Sequence, residues 1–273
     1  MVNSSGVSVM LFFCSDPNGS AATINSWVAE KTNDKVKEIV TADAIDDLTR
    51  LFLVNAIYFN GEWMDKFDPQ FTTDADFHIS PTETVNVKMM FMGEVFCYGE
   101  NHELQCRSVE LRYKGDTLSM VIILPDHNTT NLAEVEKKLT ADDLNNVMDK
   151  FHMRWTNVDM WLPRFSLDEK LSLIEVLTSM GMKDLFMDGV ADLSGVDGTK
   201  ELFVSKVLHR AVVDVNEEGT EAAAATFTCV SDGATLPFDS KEFRADHPFL
   251  FFIQDNATKS VLFIGRLVKP PTA

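Results

Sequence analysis

Apolar and β-branched residues recur along the chain in short runs that are separated by polar stretches. Runs of this kind are typical of strands that are covered on both faces. The pattern predicts strands at 48–59, 85–92, 118–124 and 158–164. Apolar residues at helical spacing predict an amphipathic helix over 22–40, with further helices at 132–139, 141–150 and 171–180. The mixture, without an internal repeat, indicates one α+β domain.

The most informative pattern is a β-type segment that leads into Glu217, Glu218 and Gly219 and then into four alanines. Composition alone allows a short surface helix over 217–225. Such a helix is marginal unless it packs an apolar face, and alanines offer little apolar surface. On a strand, one face would hold only small residues, namely Thr220, Ala222, Ala224 and Thr226. A loop that can become a strand is a device for large conformational change.

Six segments resemble signatures of the serpin family, in the family's order and spacing. They are Ile-Asn-Ser-Trp-Val (24–28) with Lys-Thr-Asn (31–33), Leu-Val-Asn-Ala-Ile-Tyr-Phe-Asn-Gly-Glu-Trp (53–63), Leu-Pro-Arg-Phe (162–165), Gly-Val-Ala-Asp-Leu-Ser-Gly (189–195), the alanine segment (215–226), and His-Pro-Phe-Leu-Phe-Phe-Ile (247–253) with Phe-Ile-Gly-Arg-Leu (263–267). The resemblance runs from about residue 21 to residue 270. It implies a serpin-like α+β fold with mixed, mostly antiparallel sheets, surface helices and an exposed reactive centre loop at 217–243.

The resemblance implies an inhibitor of serine, or alternatively cysteine, proteases that acts as a suicide substrate. In the family the protease cleaves the loop and forms an acyl-enzyme, and the loop then inserts between the third and fifth strands of the main sheet. A non-inhibitory carrier or binding serpin is the alternative, although bulky or charged hinge residues would then be expected. An inactive partial chain is a third reading. Each of the three excludes an enzyme.

The resemblance also assigns roles to individual residues. The hinge comprises Glu217, Glu218, Gly219, Thr220, Glu221, Ala222, Ala223, Ala224, Ala225 and Thr226. Counting from Glu217 puts the reactive bond at Gly233–Ala234, which suits an elastase-like pocket. Counting back from Pro248 puts it near Leu236 to Phe238, which suits a chymotrypsin-like protease. Asp232 would instead suit a protease that reads acidic residues.

Three residues are expected to control the opening of the main sheet: Asn55, Trp63 and His209. On general grounds His209 is a core histidine with satisfied hydrogen bonds. The family implies a related role, in which the matching histidine forms a hydrogen bond near the centre of the sheet with Asn55 as a neighbour. The family places the residue matching Trp63 at the top of the sheet, where insertion begins.

Residues 1–20 resemble no part of the family, so we expect a partial serpin domain over 21–273 that lacks the usual N-terminal part. The first residues lack a basic start and a small-residue cleavage site, and so form no convincing signal peptide. The family nevertheless implies a secreted glycoprotein, and an intracellular location stays open. Sequons occur at Asn3, Asn18, Asn128 and Asn256, of which Asn128 and Asn256 are the candidates for glycosylation.

The net charge of −18 argues against nucleic acid and anionic membranes as partners, and no basic run suggests a polyanion site. The sequence contains no hydrolase elbow, zinc-protease motif or phosphate loop. The four cysteines lack CxxC spacing, so we expect no metal and no cofactor. Cys97 and Cys106 are close enough in sequence to pair, but we interpret them as free and partly buried.

Overall fold

The computed structural model describes residues 8–10, 17–45, 49, 51–127, 129–220 and 240–270. The helices are α1 (Pro17–Lys31), α2 (Leu132–Lys138), α3 (Ala141–Asn145), α4 (Val147–Lys150), α5 (Ile174–Ser179) and α6 (Ser194–Asp197). The strands are β1 (Ser8–Met10), β2 (Leu51–Phe59), β3 (Gly61–Glu62), β4 (Thr73–Ser80), β5 (Glu83–Asn101), β6 (Cys106–Arg112), β7 (Leu118–Pro125), β8 (Arg154–Pro163), β9 (Phe165–Ser172), β10 (Val204–Asn216), β11 (Gly219–Thr220), β12 (Lys241–Arg244), β13 (Phe249–Asp255) and β14 (Val261–Leu267). Single 3-10 turns occur at Ala42–Ala44, Pro69–Phe71 and Asp184–Phe186.

The chain divides into two compact units. Unit 1 comprises Met1–Phe59 and Leu167–Val213. Unit 2 comprises Asn60–Ser166 and Asp214–Ala273. Strand β10 therefore begins in unit 1 and ends in unit 2.

Unit 1 is organised by the parallel pairing of β2 with β10, from Leu51 opposite Val204 to Phe59 opposite Val213, with one shift in register between Val204 and Lys206. Strand β1 is antiparallel to β2, and β9 pairs with β10. One face of β2 is buried against α1. The core there comprises Ile24 and Val28 of the helix and Phe52, Val54, Ala56 and Tyr58 of the strand. Alternation along the strand sends the intervening residues, including Asn55, to the opposite face.

The helix predicted over 22–40 is wrong beyond Lys31. Asn33 and Asp34 adopt φ values of 50° and 62°, which end the helix because this left-handed region cannot continue an α-helix. Val36 and Ile39 nevertheless belong to the same core as Ile24 and Val28, because the chain turns back along α1. Asn25 fixes this return by accepting hydrogen bonds from the backbone of Ile39 and Val40 at 2.9 and 3.1 Å.

Unit 2 is built on an eight-stranded sheet with the order β12-β8-β5-β6-β7-β13-β14, in which β4 also pairs with β5. The pairings are antiparallel except for the parallel pair β12–β8. Strand β7 is buried along its whole length, as its apolar run predicts. Its residues Val121 and Ile123 pack against Val135 of α2 and Val147 of α4.

The α+β class is confirmed, whereas several element bounds differ from the prediction. The strand expected at 85–92 is part of β5, which continues to Asn101. The helix expected at 141–150 is interrupted at Asn146, and the helix expected at 171–180 covers only Ile174–Ser179. Within the described ranges, no helix has the length and apolar character needed to cross a membrane.

Gly99 of β5 lies where the sheet touches the end of α4. A Cβ atom at this position would lie 2.1 Å from the carbonyl oxygen of Phe151 and 2.9 Å from Cα of Met153. We expect Gly99→Ala to destabilise the chain by about 1–3 kcal/mol, because backbone atoms must move to admit the methyl group. Urea unfolding followed by circular dichroism measures this. The control is Gly195→Ala, where no atom lies within 4 Å of the added Cβ; equal losses would contradict the packing argument.

Candidate functional site

The described part of the hinge, residues 217–220, lies in unit 2 as a turn followed by strand β11. Strand β11 is antiparallel to the end of β10, with Thr220 opposite Val215. It is also antiparallel to β3, with Thr220 opposite Gly61. Residues 217–220 are therefore not the first turn of the surface helix that composition allowed. They form the start of a strand that lies between two others.

A glycine is required at position 219, because the backbone there lies very close to the backbone of Gly61 and Trp63. Its φ is 149°, in a region that side-chain-bearing residues rarely adopt. A Cβ atom there would lie 2.1 Å from the carbonyl oxygen of Gly61 and 2.8 Å from the backbone nitrogen of Trp63. The Glu-Glu-Gly sequence thus ends in the one residue type that allows β11 to pair with β3.

Glu217 is a buried carboxylate that is held by two side chains. Its Oε1 accepts hydrogen bonds from Nε of Arg164, at 2.7 Å, and from the hydroxyl of Thr72. The Glu217 side chain is 5% exposed, whereas that of Arg164 is 44% exposed. Burial alone would raise the pKa of Glu217, but the hydrogen bonds from Arg164 and Thr72 outweigh it and leave the pKa below its usual value. Glu217 is therefore ionised at neutral pH.

Glu218 is held by a basic side chain, that of Lys66, and by a backbone hydrogen bond. Nζ of Lys66 lies 2.5 Å from Oε2 of Glu218 and 3.7 Å from Glu62 of β3. The carbonyl oxygen of Glu218 accepts a 3.0 Å hydrogen bond from the backbone of Trp63. The turn between β10 and β11 is thus tied to the β3 segment through both side-chain and main-chain contacts.

Trp63 lies against the hinge, with only 1% of its surface exposed. Its indole nitrogen donates a 3.0 Å hydrogen bond to the carbonyl oxygen of Asn216, the last residue of β10. Its ring stacks on Tyr113, with centroids 4.6 Å apart. The hydroxyl groups of Tyr113 and Thr220 form a hydrogen bond of 2.8 Å. Burial raises the pKa of Tyr113, so its phenol stays protonated.

Asn55 and His209 belong to unit 1 and lie directly opposite each other in the ladder between β2 and β10. Both side chains are half-buried. Within the described part of the chain, no side-chain hydrogen bond joins them. Burial lowers the pKa of His209, so the neutral ring is favoured. Asn55 and His209 are therefore neighbours, and the role of His209 in the opening of the sheet stays a prediction.

The other candidate residues lie largely outside the described residues. These are Glu221, Ala222, Ala223, Ala224, Ala225, Thr226, Asp232, Gly233, Ala234, Leu236, Phe238 and Asn128. Asn256 is described, and its glycosylation stays a prediction. Its Nδ2 donates to the carbonyl oxygen of Asp116 at 3.1 Å, and its Oδ1 accepts from Ser119 at 2.7 Å. A sugar attached to Nδ2 would replace one of its two hydrogens, and the other would have to keep the hydrogen bond to Asp116.

Four residues of the site were not identified from the sequence: Thr72, Arg164, Lys66 and Tyr113. Arg164 had a signal, because it belongs to the Leu-Pro-Arg-Phe segment, which matched the family without a stated role. Thr72 and Tyr113 are 145 and 107 residues away from their hinge partners, and no local pattern marks them.

The described residues also bear on the cysteines and on metal binding. Cys97 and Cys106 are free and buried. Burial raises the pKa of Cys97 to about 11 and that of Cys106 to about 12, so both are unreactive thiols at neutral pH. Among the described residues, no group of three or more acidic, histidine or cysteine side chains could hold a metal ion.

Comparison with known proteins decides the family. A family model described as Serpin (serine protease inhibitor) matches residues 7–270. The chain belongs to the serpin family. The expected boundary between residues 20 and 21 stays a prediction, and both the match and helix α1 extend across it.

Individual serpins agree with this assignment. The leukocyte elastase inhibitor of Bos taurus is 45% identical over 261 residues, which are 94% of this chain and 68% of the relative. The crystal structure of a highly specific serpin from the insect Tenebrio molitor has a TM-score of 0.81 and 35% identity, covering 94% of this chain and 66% of that one. A thyroxine-binding globulin in complex with thyroxine has a TM-score of 0.81 and 28% identity, covering 95% and 66%. The chain spans about two thirds of the length of these serpins.

The depressed pKa of Glu217 generates a prediction about pH. A carboxyl group whose pKa is lowered by folding contributes stability above its unfolded pKa of about 4.3, and this contribution is lost as the pH falls through the folded value. We expect Glu217→Gln to cost about 1–3 kcal/mol at pH 7, because Arg164 loses its charged partner. The cost should disappear as the pH falls through the lowered pKa of Glu217, because the wild-type side chain is then uncharged as well; urea unfolding at a series of acidic pH values measures this.

The matched control is Glu136→Gln, which removes the charge from an ion pair with the exposed Arg266 at 3.3 Å. Exposed pairs contribute little, so this variant should lose less than about 1 kcal/mol at any pH. If both variants show the same loss and the same pH profile, the Glu217 contact does not have the energetic role assigned to it.

Proposed function

We propose that this serpin inhibits serine proteases as a suicide substrate, by cleavage of its reactive centre loop and insertion of the loop as a strand. The observation that carries the proposal is the position of β11 between β3 and the end of β10, antiparallel to both. This is the orientation that an inserting strand must have. Its direction follows from the turn at Glu217–Glu218, which reverses the chain after β10.

The pairing of β2 with β10 in unit 1 supports the same mechanism. The two strands are parallel and directly paired from Leu51–Val204 to Phe59–Val213. A strand entering between them replaces one parallel ladder by two antiparallel ones, which are slightly more stable per residue. It also buries the small side chains of the hinge. Insertion is therefore downhill, and the closed form is kept by kinetics.

The proposal also covers the position of the reactive bond and the class of protease that cleaves it. We assign the reactive bond to Gly233–Ala234, by the count from Glu217. The small residues on both sides suit the narrow pocket of an elastase-like protease. The relatives named leukocyte elastase inhibitor support this protease class. Asp232, Leu236 and Phe238 remain the alternatives for other proteases.

Two other readings are outcomes of the same experiments. A carrier function would resemble the thyroxine-binding globulin structure and would need no strand insertion. A chain that neither inhibits nor is cleaved in the loop would be an inactive partial serpin. For location we retain secretion with glycosylation at Asn128 and Asn256 as a proposal, with an intracellular inhibitor as its alternative.

Thr220→Arg tests strand insertion. Thr220 is fully buried in β11, and an unpaired charge placed there costs several kcal/mol. We expect the variant to be cleaved as a substrate, with at least a tenfold lower yield of SDS-stable complex, because each 1.4 kcal/mol against insertion is tenfold. Incubation with an elastase and gel densitometry measure complex against cleaved chain.

The matched control is Thr84→Arg, the same substitution at an exposed position of β5, which should keep the wild-type yield. An undiminished yield for Thr220→Arg would refute strand insertion. A wild-type chain that forms no stable complex with any protease of a panel would refute the inhibitory proposal, and thyroxine-like ligand binding would then favour the carrier.

Mass spectrometry of the peptide released from the denatured complex locates the reactive bond. We expect a peptide that begins at Ala234. A peptide that begins between residues 237 and 239 would show that the count back from Pro248 is the correct one. If the peptide begins at Ala234, Gly233→Phe should shift inhibition from the elastase to a chymotrypsin-like protease, because the residue before the bond fills the protease pocket.

A further inference from the structure

We propose that Tyr113 is a positioning residue, whose hydroxyl holds Thr220 in its place between β3 and β10 and so prepares the hinge for insertion. The inference rests on the proposed inhibitory function and adds a specific control residue to it. The observation behind it is the 2.8 Å hydrogen bond between the hydroxyl groups of Tyr113 and Thr220. The Tyr113 residue is 2% exposed, and Thr220 is fully buried.

Tyr113 is itself fixed to the same segment that β11 pairs with. An isolated antiparallel bridge joins it to Trp63, and the rings of the two residues are stacked. The backbone bonds on either side continue this attachment, from Met64 to the oxygen of Arg112 and from Lys114 to the oxygen of Glu62, each 2.8 Å long. The phenol is therefore rigidly placed when Thr220 arrives.

The burial of both hydroxyl groups gives the bond its effect. A buried hydroxyl that loses its partner pays the desolvation cost of an unsatisfied polar group. When β11 is formed, the buried hydroxyl of Thr220 is bonded to Tyr113; when β11 is not formed, the same hydroxyl can bond to water. Removal of the phenolic oxygen therefore destabilises the state with β11 formed and leaves the other state unchanged. The bond therefore favours the state in which β11 is already formed.

The consequence concerns the competition after cleavage. The loop must insert before the acyl-enzyme is hydrolysed, since hydrolysis releases an active protease. A hinge that is already seated at Thr220 has completed the first step of insertion. Without the Tyr113–Thr220 hydrogen bond this first step must occur after cleavage. A larger fraction of the serpin is then cleaved as a substrate without trapping the protease.

Hydrogen–deuterium exchange of the 273-residue chain tests the positioning directly. In Tyr113→Phe we expect the amides of 215–220 to exchange about three to ten times faster, the factor that corresponds to one hydrogen bond. The amides of β7 should keep their wild-type rates. Tyr98→Phe is the matched control. It removes another buried phenol, which donates to Glu100 at 2.8 Å in the same unit, and it should leave the hinge unchanged.

Thr220→Val removes the other hydroxyl and provides the second measurement. It should raise exchange over 215–220 to the same extent. The double variant should exchange little faster than either single variant, because both substitutions remove the same hydrogen bond. With an elastase, each single variant should raise the number of serpin molecules consumed per protease inhibited by about two- to fivefold, with Tyr98→Phe at the wild-type value.

The outcomes separate this inference from the proposed function. Faster exchange in the hinge in a chain that forms no protease complex would support Tyr113 as the positioning residue and refute inhibition. Wild-type exchange over 215–220 in Tyr113→Phe would overturn the inference, whatever the inhibition. Exchange that rises equally in β7 would also overturn it, because Tyr113 would then be a general core residue.

Discussion

The contact on which the hinge depends is the approach of the Gly219 backbone to Gly61 and Trp63. No side chain could be accommodated there, since a Cβ atom would lie 2.1 Å from the oxygen of Gly61. Because the backbones can touch, β11 pairs with β3 and β10 at the same time. That pairing is what buries Thr220. The position of β11 therefore follows from a steric constraint at one residue.

Charge is the second constraint on this turn. The chain carries a net charge of −18, and its hinge begins with two glutamates, of which Glu217 is buried. Each glutamate has one long basic partner, Arg164 for Glu217 and Lys66 for Glu218. A partner with a long stem can neutralise a carboxylate beneath the surface while its own polar end stays partly in water. The hinge is thus held by contacts that cost little desolvation on the basic side.

The class of fold could be predicted from the sequence and is confirmed, and the hinge assignment stays a prediction; both rest on local patterns. Apolar runs such as that of β7 and the Glu-Glu-Gly-Thr sequence need no knowledge of distant residues. The helix over 22–40 failed because apolar spacing continued past Asn33 and Asp34, although their backbone turns the chain back. Thr72 and Tyr113 could not be found at all. Their roles arise from long-range pairing, and neither residue type is unusual in its own segment.

The ladder between β2 and β10 is the part of the structure that the proposed insertion would have to open. Most of its residues are apolar and gain from burial, but Asn55 and His209 face each other in its middle. Within the described residues neither side chain has a hydrogen-bond partner, and burial lowers the pKa of His209. A half-buried polar group gains less from this pairing than an apolar group does, because it gives up part of its hydration. In the proposed mechanism both groups regain water or new partners when the two strands separate. Under the proposed insertion, the sheet would therefore open where Asn55 faces His209, and this role of the pair stays a prediction.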